Sequence, residues 1–451
     1  MSIRGAALSL LLLVCSADAG TGQPAGATLP PPAQHLGVRT CAGAPCHGNE
    51  AVVGRVVRQN EYATWSRHDA HSRAYQVLLD EPARRIAAKL GLARPPHESD
   101  LCLDCHADNV PVSQRGTQFA LEDGVGCEAC HGGAERWLGP HISGSGDHRR
   151  FVELGLLPTD DATARAERCL SCHYGTETKF VRHRLYGAGH PRLRFELDTF
   201  TATQPAHFQI DEDYEKRHKQ VGNAARTWAI GQAVAARSSL AALADGRRKD
   251  GIWPEFTHFD CYACHHAMSE LRWSPRPSMG VAARPGVARL NDASLVLLVH
   301  ALDVLEPALA GRLRAETRAL HGAFSAGTDD ATRAVSDLRS TLDLALRSVE
   351  AWQPSPEPVR AVALSVIDAG VSEAGRDYLT AEQVAMAVQA LAQGLAQLGV
   401  LGDATLRAID VESAQLLEAT RDPERFEPAR AAAALRRLRL RLASERDATG
   451  G

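Results

Sequence analysis

The chain has 451 residues, a formal net charge of −4 and a pI of about 6.6, so it lacks the basic field that nucleic-acid binding requires. Aromatic residues make up only 5% of it, which is low for a globular protein, and the length predicts two domains. After the first twenty residues no segment approaches 18 uninterrupted apolar residues, so no transmembrane helix is expected in the mature chain.

The start of the chain has the pattern of a secretory signal peptide over residues 1–19. Arg4 precedes an apolar run that is too short to span a bilayer, and Ala17-Asp18-Ala19 forms a small-x-small cleavage site. A lipoprotein anchor on Cys15 is the alternative, but Val14 stands where a small residue is expected. We therefore expect an exported, periplasmic protein, with residues 20–37 as a flexible leader rich in Pro and Gly.

Five cysteine pairs, each followed directly by a histidine, dominate the next part of the chain. They account for ten of the 11 cysteines. The pairs and their histidines are Cys41 and Cys46 with His47, Cys102 and Cys105 with His106, Cys127 and Cys130 with His131, Cys169 and Cys172 with His173, and Cys261 and Cys264 with His265. We number them motifs 1 to 5 in this order.

Cys-x-x-Cys-His is the attachment signature of c-type haem. The two thiols bond covalently to the haem, and the adjacent imidazole is the proximal iron ligand. A redox-active dithiol does not recur five times with a trailing histidine, and a zinc ribbon does not place a histidine after every second cysteine. The sequence therefore predicts five covalently bound haem c groups, although motif 1 has four residues between its cysteines.

The fold class expected is mainly α, in two parts. Residues 38–284 carry every motif and read as a loop-rich multihaem cytochrome c domain with little regular sheet. It contains one longer helix over residues 226–243 and ends in a proline-rich linker near residues 275–286. Residues 285–446 have no cysteine and are rich in Ala and Leu, which predicts an all-α helical bundle.

Three apolar stripes at helical spacing support that bundle. Their members are Leu295, Leu298, Val299, Leu302 and Leu305; Val335, Leu338, Leu342 and Val349; and Val384, Val388, Leu391, Leu395 and Leu398. Thr380 with Gln383 predicts a capping-box start for the third helix. Arg436, Arg437, Arg439 and Arg441 surround apolar residues of the last helix, which favours a solvated basic face over a membrane or partner surface.

The amino-acid sequence in and around the motifs resembles the cytochrome c-552/c-554 family over residues 38–180. The segments that carry the resemblance are Trp65 to His71 with Ala74, motif 2, Gly124 to Gly132, His141, and Glu167 to His173. Gly187 to Leu197 and Phe259 to His266 resemble parts of larger multihaem relatives. The family type has four haems and two residues between the cysteines of its first site, so the fifth motif and the long motif 1 are departures.

The second axial ligand of each iron decides whether it can bind a small molecule. Five of the 19 histidines are proximal and only four methionines exist, so histidine should supply most distal ligands as well. The resemblance implies His71 and His141 as distal ligands, with His68 and His148 as their rivals. His190, His183 and His207 complete the expected set, while His218 and His258 stay open and His266 is expected to be structural.

These features favour a periplasmic electron-transfer protein with no catalytic residues. Its partners would be other cytochromes or a quinol-oxidising membrane complex. The alternative is a multihaem reductase or oxidase of a small nitrogen or sulfur compound. The family type leaves its second haem five-coordinate, which would open the iron at motif 2 near His97 and Arg115. A third possibility, compatible with the first, is that the helical bundle docks the cytochrome to a partner.

Overall fold

The structure is a computed structural model. It describes residues 32–49, 58–207, 214, 216, 219, 221–245, 254–265, 289–326, 328–372, 377–422 and 425–444. The expected signal peptide, Cys15, most of the leader and the proline-rich linker lie outside these residues. Residues Ala33–Gly451 cluster as one compact unit. In the part that is described, no helix is long and apolar enough to cross a membrane.

The described residues form a mainly-α fold, as the sequence predicts. The α-helices are α1 Glu61–His68, α2 Glu81–Leu90, α3 Asp100–His106, α4 Cys127–His131, α5 Leu138–Ser143, α6 His148–Glu153, α7 Ala162–His173, α8 His183–Ala188, α9 Leu197–Thr203, α10 Ala224–Ala244, α11 Ala293–Leu305, α12 Pro307–Ala326, α13 Thr328–Ala351, α14 Pro356–Val371, α15 Tyr378–Gln397, α16 Asp403–Ala419 and α17 Pro428–Ser444. Among these residues, strand pairing is limited to the isolated bridges His35–Arg115 and Phe259–Leu290.

The first nine helices are short, and single-turn 3-10 helices separate several of them. The 3-10 helices are Val38–Thr40, Ala70–Arg73, Gln76–Leu79, Pro96–Glu98, Val112–Gln114, Leu121–Asp123, Phe256–His258 and Cys261–Ala263. Carboxylates start several helices by accepting a free backbone N–H, as Asp147 does for α6 and Asp161 does for α7. The result is a loop-rich region whose helices are only long enough to hold the motifs.

Helix α10 joins the motif region to the C-terminal helices. It corresponds to the longer helix expected over residues 226–243, and it contacts α7 and α9 on one side and α11, α13 and α15 on the other. Ala225, Trp228, Ala229 and Ala233 on this helix are fully buried. The expected domain boundary at residue 284 lies outside the described residues, and helices from both sides of it share one hydrophobic core.

The three apolar stripes lie on α11, α13 and α15, and their members are buried apart from Leu305 and Leu398, which are partly buried. The expected start of α15 is wrong, because the helix begins at Tyr378 with Asp377 as its N-cap. Thr380 instead lies inside the helix, fully buried, and donates its hydroxyl hydrogen to Asp377. Asp377 thus takes the capping role that the sequence pattern assigned to Thr380, because its carboxylate accepts from the backbone N–H of Leu379.

The arginines of α17 are largely paired within the bundle. Arg437 and Arg441 donate to Glu412 of α16, and Arg439 donates to Asp368 of α14. Leu435 and Leu438 between them are fully buried. Their side chains remain 44–46% exposed, so these arginines tie the last helix to its neighbours from the surface of the bundle.

Gly394 of α15 lies where α15 crosses the start of α10, and it allows the close approach. A Cβ atom on Gly394 would lie 2.9 Å from the backbone nitrogen of Ala225 and 2.9 Å from Oδ1 of Asn223. We expect Gly394→Ala to lower the stability by about 1–3 kcal/mol, because backbone atoms cannot move aside as a side chain can.

Gly311 of α12 is the matched control, since a Cβ there meets nothing within 4 Å. Gly311→Ala should raise the stability by up to about 1 kcal/mol through helix propensity alone. Thermal unfolding followed by circular dichroism measures both. Equal shifts in the two variants would contradict the packing described between α10 and α15.

Candidate haem sites

Helix ends and single turns present the five motifs. Motif 2 forms the end of α3, motif 3 forms the whole of α4, and motif 4 forms the end of α7. Motif 1 follows the 3-10 helix Val38–Thr40, and motif 5 begins with the 3-10 helix Cys261–Ala263. In the helical motifs the two cysteines are three residues apart, so both thiols lie on one face of the turn.

Four of the five motif histidines face a second histidine at nearly one distance. The ring centres are 6.1 Å apart for His47 and His141, 6.3 Å for His106 and His190, 6.2 Å for His173 and His71, and 6.0 Å for His265 and His183. The ring planes are almost parallel in the first pair, at 9°, and almost perpendicular in the second and third, at 84° and 87°. Each pair joins a motif histidine to one of the expected distal histidines.

This spacing fits an iron atom between the two rings. A metal–imidazole bond is about 2 Å long and the bonding nitrogen lies about 1 Å from the ring centre, so two rings on opposite sides of one iron have centres about 6 Å apart. Aromatic rings in direct contact have centres anywhere within about 4.5–7 Å, whereas all four of these pairs fall between 6.0 and 6.3 Å. The residues present therefore fit haem c with two axial histidines.

The fifth motif histidine, His131, is described by its surroundings. Burial lowers the pKa of His131 to about 4, and the positive charges of His207, His47 and Lys219 add to the decrease. The pairing of His131 with His207 stays a prediction.

The ring nitrogen that bonds to protein is Nδ1 in these histidines wherever a partner is found. His47 Nδ1 lies 2.9 Å from Glu61 Oε2, and His71 Nδ1 lies 2.9 Å from Asp69 Oδ1. The Nδ1 atoms of His106, His190 and His207 lie 2.9, 2.7 and 3.4 Å from backbone carbonyl oxygens. Partners on Nδ1 fix the tautomer that leaves Nε2 for a metal.

The rival histidines are placed differently. His148 directs Nε2 at Asp160 Oδ1, 2.9 Å away, so the nitrogen that an iron would need is already engaged. His68 is exposed, whereas His71 is half-buried against His173. His97 lies edge-on to Tyr75, and Arg115 donates to Val110 and Asn109. His218 and His266 lie outside the described residues.

Thiols from different motifs contact each other. The Cys172 thiol of motif 4 lies 3.9 Å from the carbonyl oxygen of Asp104 in motif 2, and the neighbouring Cys105 thiol lowers the pKa of Cys172 to about 4. In the same way Cys127 of motif 3 lowers the pKa of Cys41 of motif 1. Lys179 joins the first pair, with Nζ 3.2 Å from Cys172 Sγ and 3.0 Å from the Asp104 carbonyl oxygen. Attachment points of different motifs are thus side by side.

Motif 5 packs on one side against the C-terminal part of the chain, while Cys264 and His265 remain exposed. Tyr262, between its two cysteines, is buried with its ring 6.4 Å from that of Tyr378 and 5.6 Å from that of Phe426. Arg192, two residues after His190, bonds to Glu382 of α15 and lies over the Tyr378 ring. The helical bundle therefore forms one wall of this site, a role that the sequence analysis did not foresee.

Glu128 of motif 3 anchors the segment that leads into motif 1. Its buried carboxylate accepts from the backbone N–H groups of Leu36, Gly37 and Ala134 at 2.7–2.8 Å. Gly37 has a φ of 95°, and a Cβ atom on this residue would lie only 2.3 Å from the Gln118 carbonyl oxygen. Glycine is therefore required there. Sequence reasoning missed Glu128 because it looks like a spacer residue of the motif.

Attachment cysteines next to opposed histidine pairs define a c-type cytochrome, a class that carries electrons on covalently bound haem. Comparison with known families agrees. Residues 40–132, which hold motifs 1 to 3, match the family model of cytochrome c554 and c-prime, and this match supports a c-type cytochrome of the c-552/c-554 family. No curated protein and no solved structure matches the chain.

Glu128 offers a direct test of how motif 1 is held against motif 3. Glu128→Gln replaces one accepting oxygen with an NH2 group that faces a backbone N–H, so we expect a loss of about 1–3 kcal/mol in stability. Glu135→Gln is the control, because Glu135 accepts from the nearby backbone N–H of Gln34 at an exposed position. Denaturant unfolding should show a small change for this control, and similar losses in both variants would contradict the anchoring role.

Proposed function

We propose that this protein is a multihaem electron carrier with five haem c groups, each held by two axial histidines. The thioether attachments would be the ten cysteines of the five motifs. The ligand pairs would be His47 with His141, His106 with His190, His131 with His207, His173 with His71, and His265 with His183. The observation that carries the proposal is the 6.0–6.3 Å spacing of four of these pairs.

Two histidines on one iron leave no position for a substrate, so such an iron can only gain and lose electrons. The position of His190 matters most here, because the family resemblance would leave the iron of motif 2 open. With His190 opposite His106, this iron is proposed to be closed as well. That arrangement favours an electron carrier over a reductase or oxidase of a small molecule.

Contacts between the motifs support an order for the electron path. Glu128 of motif 3 accepts from the backbone N–H of Gly37, which leads into motif 1. Arg168, beside motif 4, donates to the carbonyl oxygen of Ala129 in motif 3. The Cys172 thiol of motif 4 lies 3.9 Å from the carbonyl oxygen of Asp104 in motif 2. We propose the order 1, 3, 4, 2, with motif 5 at the end beside motif 2.

The place of motif 5 follows from one short segment of chain. His183 at the start of α8 faces His265 of motif 5, and His190 just beyond the same helix faces His106 of motif 2. One six-residue helix and the residues just after it would therefore supply ligands to both irons. Motif 1 and motif 5 would be the two ends at which partner proteins deliver and remove electrons.

The proposed location is the periplasm, because haem c is attached after export and residues 1–19 have the signal-peptide pattern. The proposed partners are other cytochromes or a quinol-oxidising membrane complex. The C-terminal helices are proposed to support motif 5, through Tyr378 and Phe426, before any role in docking.

Replacing one distal histidine tests the ligand assignment. We expect His141→Ala to retain all five haems by intact mass and to convert one low-spin iron to high spin, because the sixth ligand of the motif 1 iron is removed. Electron paramagnetic resonance measures the spin state of each variant.

His148→Ala is the matched control, since His148 is the nearby rival that bonds to Asp160 through Nε2. Its spectrum should stay entirely low-spin. A high-spin iron in the His148 variant but not in the His141 variant would overturn the assignment, and fewer than five haems in the wild-type protein would overturn the proposed function.

A further inference from the structure

The proposed iron ligands differ in what their second ring nitrogen bonds to. At motif 1, His47 donates to the Glu61 carboxylate, and at motif 4 the distal His71 donates to the Asp69 carboxylate. At motif 2 both ligands donate to backbone carbonyl oxygens, His106 to Ala74 and His190 to Pro191. One proposed ligand at motif 1 and one at motif 4 therefore bond to a carboxylate, whereas both proposed ligands at motif 2 bond to neutral carbonyl oxygens.

An anionic acceptor changes the ligand that donates to it. A carboxylate on the ring N–H makes the imidazole a more basic ligand, and such hydrogen bonding around axial ligands is one of the means by which a protein sets haem potential. The ferric state carries one more positive charge than the ferrous state, so negative charge nearby also favours it directly. Both effects lower the reduction potential.

Asp69 is held so that this effect is strong. Its side chain is only 3% exposed, and one of its oxygens accepts from both Nδ1 and the backbone N–H of His71, each at 2.9 Å. Gln204 donates to the other oxygen at 2.8 Å. Fixed on both sides and shielded from water, the carboxylate cannot turn away, and its charge is screened little by salt.

Glu61 is the weaker of the two carboxylates. Its side chain is 28% exposed, and it bonds to one ring nitrogen only among the contacts described for it. Solvent screens a charge at such a position more than a buried one. The effect at motif 1 should therefore have the same sign as at motif 4 and a smaller size.

We propose that Asp69 and Glu61 are potential-setting residues, which hold the irons of motif 4 and motif 1 at lower reduction potentials than the iron of motif 2. This rests on the proposed function, since it takes His71 and His47 as iron ligands. Lys179 lies between the two sites, with Nζ 3.2 Å from Cys172 Sγ of motif 4 and 3.0 Å from the Asp104 carbonyl oxygen of motif 2, so its positive charge acts on both irons in the same direction.

This order of reduction potentials sets the direction in which electrons flow. Motif 4 adjoins motif 2, because the Cys172 thiol lies 3.9 Å from the carbonyl oxygen of Asp104. One electron passing from the ferrous iron of motif 4 to the ferric iron of motif 2 oxidises the first and reduces the second, with no proton or further reactant. The step is downhill when motif 4 has the lower potential, so electrons would run from motif 4 toward motifs 2 and 5.

Asp69→Asn tests the proposal in the full-length protein with its haems. Asparagine keeps an acceptor for His71 and removes the charge. In an optical redox titration, we expect one of the five components to move to higher potential by about 59 mV, which is a tenfold change in the equilibrium of one electron. Glu61→Gln should move a different component in the same direction by less.

Asp160→Asn is the matched control, because Asp160 is a poorly exposed carboxylate bonded to His148, which is not a proposed ligand. Because Asp160 bonds to no proposed ligand, this variant should move every component by less than Asp69→Asn moves its own. Unchanged potentials in both the Asp69 and Glu61 variants, with five haems and low-spin iron retained, would overturn the proposal, and the Glu61 variant decides the matter if the Asp69 variant does not fold. Missing haems or high-spin iron in the wild-type protein would instead mark a failure of the proposed function.

Discussion

The structure depends on one geometric constraint, which is that two imidazoles from distant parts of the chain must face each other across about 6 Å. His47 and His141, or His265 and His183, are far apart in sequence and yet hold this separation. Loop segments and one-turn helices are enough to meet it, because each has to place only a ring and a pair of thiols. The haem rings would supply the large, flat apolar surfaces that aromatic side chains otherwise provide. An aromatic content of only 5% fits that role.

Much of this site could be predicted from sequence, because covalent attachment has a fixed local signature. The cysteines and the histidine of each motif are consecutive, so spacing alone identifies them. The distal residues carry no such local signature. His71 and His141 are proposed from resemblance and His190 from its position among the motifs, whereas the bond of His148 Nε2 to Asp160, which weighs against this rival, has no signature in the sequence. The pairing of each proposed distal histidine with a motif histidine depends on the tertiary structure.

The residues that surround the ligands were beyond sequence reasoning for a related reason. Asp69, Glu61 and Glu128 are ordinary charged residues in the printed chain, and their roles depend on what folds against them. Glu128 accepts backbone N–H groups from a segment far away in sequence, and Tyr378 reaches motif 5 from the other end of the protein. The start of α15 was misplaced because Asp377 competes with Thr380 for the same capping position. Helix periodicity was read correctly, since it is a local pattern.

The central claim is that every iron is closed by two histidines. Electron paramagnetic resonance of the fully oxidised wild-type protein at low temperature, with haem quantified on the same sample, tests it most directly. The account predicts five haems per chain and five low-spin irons. One high-spin iron per chain, especially one whose signal changes when nitrite or hydroxylamine is added, would contradict it and would point to an open, reactive iron.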